Sequence, residues 1–228
     1  MGPNNKIVTI HQPQYFPYLG FFNKISHSDI YVVLDDVSNY KGDFTNRNRI
    51  KSPQGAIWLT VPLNRNNKII KDIKIKDNKW VNKHLKSLNY NYSKSLFYES
   101  VMTSIRNLLE SNHWSNLIDL NMQTLELIFK LLDIKVELIF SSSIPKFSKG
   151  SERLIEIIKH VKCNKYIAGP GSKDYLDELL FEKNKIQIIN QEFKEKKYKQ
   201  QYGNYEPNLS VLDSLFNVGL EEVRNLIK

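Results

Sequence analysis

The stretch from Lys6 to Gly20 constrains the fold more than any other part of the chain. It begins with a run of β-branched residues, which favours a strand, and Pro13 ends that run because proline has no amide hydrogen for a neighbouring strand. The strand is therefore predicted to end near His11, before a loop of polar and aromatic residues that Pro17 stiffens. Open α/β sheets bind their ligands at the carboxyl ends of the strands. A ligand site is accordingly expected beside His11.

The residues after this loop complete a β-α-β unit. Apolar side chains recur at helical spacing over residues 18–27, and residues 29–35 contain a second apolar run bounded by acids. Parallel strands joined in this way end at the same edge of a sheet, so Asp36 is expected at the same edge as His11. Each residue has a structural alternative, in which His11 bonds only the loop backbone and Asp36 only closes a turn.

The length of the chain, 228 residues, is enough to bury a sizeable core in one large domain. We predict a single α/β domain over residues 1–228, with a mostly parallel sheet and flanking helices. Apolar positions change to a helical period over residues 79–132, which predicts an inserted helical lobe there. Asp213 lies on a further amphipathic helix, on either its core-facing or its site-facing side.

The chain is basic, with 33 Lys and Arg against 24 Asp and Glu and a net charge of +9. Such an excess favours anionic partners, which include nucleotide diphosphates, nucleic acid and acidic membrane faces. A composition rich in Lys, Asn and Ile also produces this excess by itself, so the charge alone does not identify a partner.

The cysteine count and the hydropathy pattern exclude several classes of protein. Cys163 is the single cysteine, which excludes an intrachain disulfide and a cysteine-built metal site, and no metal is predicted. No apolar run approaches the ~20 residues of a membrane span, and the N-terminus lacks an apolar signal core. The expected protein is soluble and cytoplasmic, without a membrane partner, and its oligomeric state is open.

A long polar segment over residues 37–55 is predicted to be a loop. A loop of this length is usually functional or disordered, and Arg side chains suit phosphate and carboxylate oxygens. The candidate ligand-binding side chains in it are Lys41, Asn46, Arg47 and Arg49. If the loop crosses the edge where the first strand ends, it brings cations to His11. The alternative is a solvated basic loop.

A second glycine-containing turn follows a strand predicted at residues 165–168. Backbone amides at the start of the next helix can cradle an anion there, with help from adjacent side chains. The candidate residues are Gly169, Gly171, Ser172 and Lys173. The turn lacks the Gly-x4-Gly-Lys-Ser/Thr spacing of the P-loop, so it indicates an anion without specifying a nucleotide.

Several segments, taken in order, resemble the WbqC-like family over nearly the whole chain. They are His-Gln-Pro-Gln-Tyr-Phe-Pro-Tyr-Leu-Gly-Phe-Phe-Asn-Lys-Ile at 11–25, Asp35-Asp36, residues 46–50, 58–62, 168–176, 198–202 and 208–219. That family is associated with bacterial O-antigen and other surface-polysaccharide gene clusters, and a glycine transferase role has been proposed for a member. The resemblance therefore implies an enzyme of lipopolysaccharide biosynthesis that transfers an aminoacyl (glycyl) group to an amino sugar carried on a nucleotide.

The chemistry of that reaction suggests roles for residues in these segments. Amide formation needs a deprotonated amine, a positioned acyl donor and a stabilised oxyanion. We assign His11 as base, Gln12 or backbone amides as oxyanion donors, and Asp36 to a sugar or nucleotide hydroxyl. The substrate-binding set comprises Gln14, Tyr15, Lys41, Asn46, Arg47, Arg49, Gly169, Gly171, Ser172 and Lys173, with the diphosphate on Lys41, Arg47 and Arg49. An activated glycyl donor such as glycyl-tRNA would also use the positive charge of the chain.

Two other functions are open. A strand followed by His-x-Pro, Gly20 and a helix is similar to the His-containing signature of nucleotidylyltransferase-like α/β enzymes, which bind ATP or another nucleotide. The chain departs from that signature because it lacks the second histidine of His-x-x-His or His-x-Gly-His. The third reading is a non-catalytic nucleic-acid-binding protein. Against it, the cations cluster in proline-stiffened turns rather than along a helix face.

Overall fold

The computed structural model describes residues 5–40, 42–64, 66–172 and 176–228, and within these ranges the chain forms nine β-strands and seven α-helices. The strands are β1 (Ile7–His11), β2 (Ile30–Val33), β3 (Arg47–Ser52), β4 (Gly55–Thr60), β5 (Leu63–Asn64), β6 (Lys74–Ile75), β7 (Glu137–Phe140), β8 (Lys165–Ala168) and β9 (Gln187–Asn190). The helices are α1 (Leu19–Ser26), α2 (Lys79–Tyr92), α3 (Tyr98–Glu110), α4 (Leu117–Leu132), α5 (Gly150–His160), α6 (Glu178–Lys183) and α7 (Val211–Leu226).

The chain folds as two compact units, each built from separate segments. The first unit comprises residues up to Gln12, Asn23–Asp36 and Lys135–Lys194, and the second comprises Pro13–Phe22, Val37–Ile134 and Glu195–Lys228. The single domain over residues 1–228 stays a prediction. None of the helices in the described residues is both long enough and apolar enough to cross a membrane.

The first unit contains a five-stranded sheet in the order β7-β2-β1-β8-β9, and all neighbouring strands in it are parallel. The prediction of an α/β fold with a mostly parallel sheet is therefore confirmed. The central strand β1 has neighbours on both sides, which explains why its sequence is an almost continuous apolar run. The hydrophobic core of the first unit includes Val8, Ile10, Val32, Ile157 and Phe181.

The strand order places a crevice at one edge of this sheet. When the five strands are numbered by their appearance in the chain, the order reads 3-2-1-4-5, because β2 and β7 lie on one side of β1 and β8 and β9 on the other. The direction of winding thus reverses between β1 and β8. In open parallel sheets, ligands bind outside the carboxyl ends of the two strands at such a reversal, and the dinucleotide-binding sheet, with the order 3-2-1-4-5-6, reverses at the same point.

The second unit contains the helices predicted over residues 79–132. Their buried side chains recur at helical spacing, as on α4, where Leu117, Leu120, Leu125, Ile128 and Leu132 are buried. The chain leaves α4 at Asp133, whose φ of 55° is left-handed and which has the short polar side chain that tolerates this conformation. The helical lobe that completes the predicted fold is present.

The sequence pattern predicted a continuous loop over residues 37–55, and this prediction is wrong for the second half of the segment. Its second half forms β3, which pairs antiparallel with β4 from Arg47 opposite Thr60 to Ser52 opposite Gly55. Asn48 is buried in this strand, and its Nδ2 donates a hydrogen bond to the carbonyl oxygen of Phe16 at 2.8 Å. Polar residues can occupy buried positions of β3 because they form hydrogen bonds with residues that are distant in sequence. The strand therefore lacks the apolar pattern from which it could have been predicted.

Candidate functional site

His11 is the last residue of β1 and is half-buried. Its ring Nδ1 lies 2.8 Å from the backbone oxygen of Gln12. A carbonyl oxygen only accepts hydrogen bonds, so Nδ1 carries the hydrogen and the lone pair of the neutral ring lies on Nε2. The carbonyl of His11 itself accepts from the amide of Leu34 at 2.9 Å and from the hydroxyl of Tyr31 at 3.2 Å. The strand end and the tautomer of the ring are therefore both held in place.

The surroundings of His11 keep its ring uncharged. Burial lowers the pKa of His11 to about 3, and the positive charge of Lys24 acts in the same direction, while the hydrogen bond to Gln12 opposes both. At neutral pH the ring is thus an imidazole and not an imidazolium. A neutral imidazole with its lone pair on Nε2 can accept a proton from a substrate.

Lys24, on α1, is the second group of this site. Lys24 is only 4% exposed, and burial lowers the pKa of its ammonium to about 7. Within the described part of the chain, the ammonium makes no hydrogen bond or ion pair with a protein acceptor. The sequence pattern predicts a helix over residues 18–27, which include Lys24, but does not indicate that Lys24 belongs to the site. The signal that could have found it is a charged residue between Phe22 and Ile25, two side chains on the buried face of a short helix.

The turn after β8 is the third component. The register pairs Thr9 with Ile167, and continued by two residues it brings His11 alongside Gly169. A Cβ atom at Gly169 would lie 3.4 Å from Nζ of Lys24, so the ammonium lies close to the backbone of this turn. The carbonyl of Gly169 accepts from the amide of Ser172 at 3.0 Å and from its Oγ at 2.6 Å, which closes the turn.

The structure thus brings together two of the predicted elements in the first unit. His11 and Gln12 follow β1, and Gly169, Gly171 and Ser172 form the turn after the adjacent strand β8. Lys173, which was predicted with them, lies outside the described residues.

Asp36 belongs to another polar cluster of the first unit. Its carboxylate accepts from Oγ of Ser141 at 2.6 Å and lies 3.1 Å from Nζ of Lys146 and 3.5 Å from the guanidinium of Arg153. Burial alone would raise the pKa of Asp36, but the hydrogen bonds from Ser141 and Lys146 and the charges of Lys146 and Arg153 lower it. These contacts join the segment after β2 to the segment after β7. The assignment of Asp36 to a substrate hydroxyl stays a prediction.

Two predicted residues, Gln14 and Tyr15, lie in the second unit. The Tyr15 side chain is buried against Trp80, and its hydroxyl lies 3.1 Å from Nδ1 of His84. Burial lowers the pKa of His84 to about 4, and a hydrogen bond with the backbone of Thr60 opposes this shift. The side-chain oxygen of Gln14 is buried and has no hydrogen-bond partner among the described residues.

The predicted cations of the second unit lie on β3, where they bond the protein backbone. The guanidinium of Arg47 donates to the carbonyl of Gly42 at 2.8 Å and lies 4.1 Å from the ring centre of Trp58. Arg49 donates to the carbonyl of Pro207 at 3.4 Å. Asn46, which was also predicted to bind substrate, directly precedes β3, and its Nδ2 donates to the carbonyl of Val61 at 2.8 Å. Lys41 lies outside the described residues, and the substrate-binding roles of this set stay predictions.

A buried polar network in the second unit decides the orientation of Asp213, which is core-facing. Its two carboxylate oxygens accept from the hydroxyls of Tyr92 and Tyr198, each at 2.7 Å. Lys51 lies in the same network, where its Nζ donates to Oε1 of Gln200 at 3.0 Å and to a backbone carbonyl. Burial raises the pKa of Asp213, against the lowering effect of the two tyrosine hydroxyls and the charge of Lys51.

Comparison with known proteins identifies the family. The profile of the WbqC-like protein family matches residues 12–225. The chain belongs to this family. It is also 32% identical over 220 residues to the uncharacterized protein Rv1507c of Mycobacterium tuberculosis (strain ATCC 25618 / H37Rv), and the alignment covers 95% of each chain. No solved structure matches the chain.

Proposed function

We propose that this member of the WbqC-like family is an aminoacyl transferase that forms an amide between a glycyl group and a nucleotide-linked amino sugar. The observation that carries the proposal is the juxtaposition of neutral His11, in a fixed tautomer, with the buried amine of Lys24 at the carboxyl edge of the parallel sheet. The association of the family with surface-polysaccharide gene clusters supports a place in O-antigen biosynthesis.

The proposed reaction uses an activated glycyl donor, such as a glycyl ester of tRNA. The amine nitrogen of the sugar attacks the glycyl carbonyl carbon, where a C–N bond forms and the bond to the ester oxygen of the donor breaks. The proton leaves the amine for Nε2 of His11 and then passes to the departing oxygen, so that the histidine is regenerated. The Gln12 side chain or neighbouring backbone amides stabilise the oxyanion of the tetrahedral intermediate.

The charge of Lys24 affects how well His11 can act as a base. A base with a pKa of about 3 accepts a proton weakly at neutral pH. An anionic substrate next to Lys24 would offset the lysine charge that contributes to this low pKa, so substrate binding would raise the pKa of His11. Burial, the larger cause of the low pKa, is unaffected by this charge, so the substrate raises the pKa of His11 only in part.

The test is the formation of an N-glycylated nucleotide sugar, followed by mass spectrometry. Purified protein is incubated with UDP-, dTDP- and GDP-linked amino sugars and glycyl-tRNA. The variant His11→Asn keeps a donor near Nδ1 but has no group at Nε2, so we expect its rate to fall by about 100-fold or more, the range for loss of a general base. His160→Asn, at the exposed end of α5, is the matched control. An equal rate in His11→Asn and wild type, or no glycylated product from any sugar, contradicts the proposal.

The strand order favours a second candidate, a nucleotidylyltransferase-like enzyme. The order 3-2-1-4-5 matches the first five strands of the dinucleotide-binding sheet, and His11 lies at the end of the first strand. Such an enzyme would release pyrophosphate from ATP or another nucleoside triphosphate in the presence of a phosphorylated acceptor. Pyrophosphate release without glycyl transfer would favour this candidate over the transferase.

A further inference from the structure

Lys24 is unusual because it is buried and no described residue provides its ammonium with an anionic or polar partner. Buried lysines are nearly always paired, since the removal of an ammonium from water is costly and only a nearby acceptor offsets the cost. Lys24 is 4% exposed, yet its ammonium makes no hydrogen bond or ion pair with any acceptor in the described ranges of the chain. An anionic group bound from outside the protein would offset this cost.

The surroundings of the ammonium suit such a group. His11 is neutral and adds no competing charge. The carbonyl of Gly169, the nearest residue of the turn, already accepts two hydrogen bonds from Ser172, so it is held in the turn. Because Gly169 has no Cβ, the space 3.4 Å from Nζ contains no side-chain atom of that residue.

The position of Lys24 favours phosphate over other anions. Both β1 and β8 end beside it, and the winding of the sheet reverses between these two strands. This is the crevice where parallel sheets of this order hold nucleotides, with the phosphates at the strand ends and their following turns. A turn of the form Gly-Pro-Gly-Ser follows β8, and close approach of a ligand to a backbone is a common reason for glycine.

We propose that Lys24, together with His11 and the Gly169–Ser172 turn, binds a phosphate group of the substrate. The substrate's identity as a nucleotide sugar rests on the proposed function, but the phosphate site itself does not. Lys24 is then a substrate-binding residue, and the stability lost by burying its charge is the consequence of keeping the site ready for the anion.

The test measures binding of pyrophosphate and UDP to wild-type protein and to Lys24→Met by isothermal titration calorimetry, with thermal melting of each protein alone. Methionine has nearly the length of the lysine side chain but no charge. We expect Lys24→Met to bind both probes at least about tenfold more weakly, or about 1.4 kcal/mol, and to melt at the same or a higher temperature. Lys183→Met makes the same chemical change at an exposed position of α6 and should bind like wild type.

A second variant tests the site without removing the charge. Gly169→Ala adds a methyl group at 3.4 Å from Nζ, an ordinary contact distance, and its backbone is not left-handed. We expect this variant to fold normally and to bind pyrophosphate several-fold more weakly.

Several outcomes would overturn the inference. They are wild-type affinity for pyrophosphate in Lys24→Met, a lower melting temperature of that variant without ligand, and binding of glycine or acetate in preference to pyrophosphate. The outcomes also separate this site from the reaction. Loss of pyrophosphate binding in Lys24→Met, with no glycylated product from wild type, keeps the phosphate site and rejects the transferase. Wild-type rates of glycylation by Lys24→Met reject the site and keep the transferase.

Discussion

Two buried lysines, Lys24 in the first unit and Lys51 in the second, are in opposite electrostatic situations. Lys51 is 1% exposed, and its ammonium donates to the side chain of Gln200 and to a backbone carbonyl. Lys24 is nearly as buried, but its ammonium makes no such bond within the part of the chain that the structure describes. Burial alone therefore does not distinguish a structural lysine from a functional one. The partners of the ammonium do.

The largest expected effect on stability is that of replacing Lys51. Lys51→Met removes the donor of two buried hydrogen bonds and a cation close to Asp213, so it should reduce the free energy of unfolding by about 3 kcal/mol. Lys24→Met removes a buried amine for which the described residues provide no acceptor, and should not reduce this free energy. Urea denaturation of the two variants at pH 7 measures both values. Equal losses in the two variants would mean that the lysines are equivalent.

The acceptor side of the network in the second unit provides the next effect. In Asp213→Asn, the side-chain amide has one oxygen to accept from two tyrosine hydroxyls, so either Tyr92 or Tyr198 is left facing an NH2 group. We expect a loss of about 2 kcal/mol in the free energy of unfolding. Asp72→Asn, at an exposed position of the same unit, is the matched control and should change stability little. A loss of similar size in both would show that the network adds no stability.

The dependence of stability on pH sharpens the comparison further. The pKa of Lys24 is about 7 in the folded protein against 10.5 for the ordinary side chain. Between these values the unfolded chain holds the proton that the folded chain has released, so the contribution of Lys24 to stability increases as pH rises. We expect wild type to gain up to about 1.4 kcal/mol per pH unit from this residue between pH 7 and pH 9.

The measurement for this pH effect is urea denaturation at several pH values and constant ionic strength. Lys24→Met should show a flatter dependence than wild type, while Lys183→Met should show the wild-type slope. Identical slopes in wild type and Lys24→Met would contradict the low pKa of this lysine.

Arg47 represents an intermediate case and the smallest expected effect. This half-buried cation of the second unit lies 4.1 Å from the ring centre of Trp58, which is itself partly exposed. Trp58→Leu keeps an apolar residue but removes the aromatic face, and should reduce the free energy of unfolding by about 0.5–1 kcal/mol. A double-mutant cycle with Arg47→Met isolates the pair, and a coupling energy of zero would mean that the ring does not stabilise the guanidinium.

The sequence was informative where local rules act. Pro13 predicts the end of β1 at His11, because proline ends a strand through its own missing amide hydrogen. The helical period over residues 79–132 predicts α2, α3 and α4, because the spacing of apolar residues is a local property. The alternation of predicted strands and helices along the chain predicts the parallel sheet, because a helix that connects two strands lets them run in the same direction.

The parts that could not be predicted depend on contacts between distant residues. The tyrosines that bond Asp213 come from α2 and from the basic segment before α7, so its core-facing orientation cannot be derived from the helix that carries it. Asn48 is buried because of a carbonyl in another segment, which concealed β3 inside a polar stretch. Lys24 joins the candidate site only because β8 lies next to β1 in the sheet.

The central position of β1 has a consequence for the order of events during folding. Its two neighbours are β2, which follows within about 20 residues, and β8, whose first pair, Ile7 with Lys165, spans 158 residues of chain. On the ribosome, one edge of this apolar strand therefore stays unpaired until most of the chain has been synthesised. Pairing over such a separation slows folding and exposes an edge that can join another chain. Growing cells would need a chaperone, or rapid collapse of the nearby helices, to protect this strand while synthesis continues.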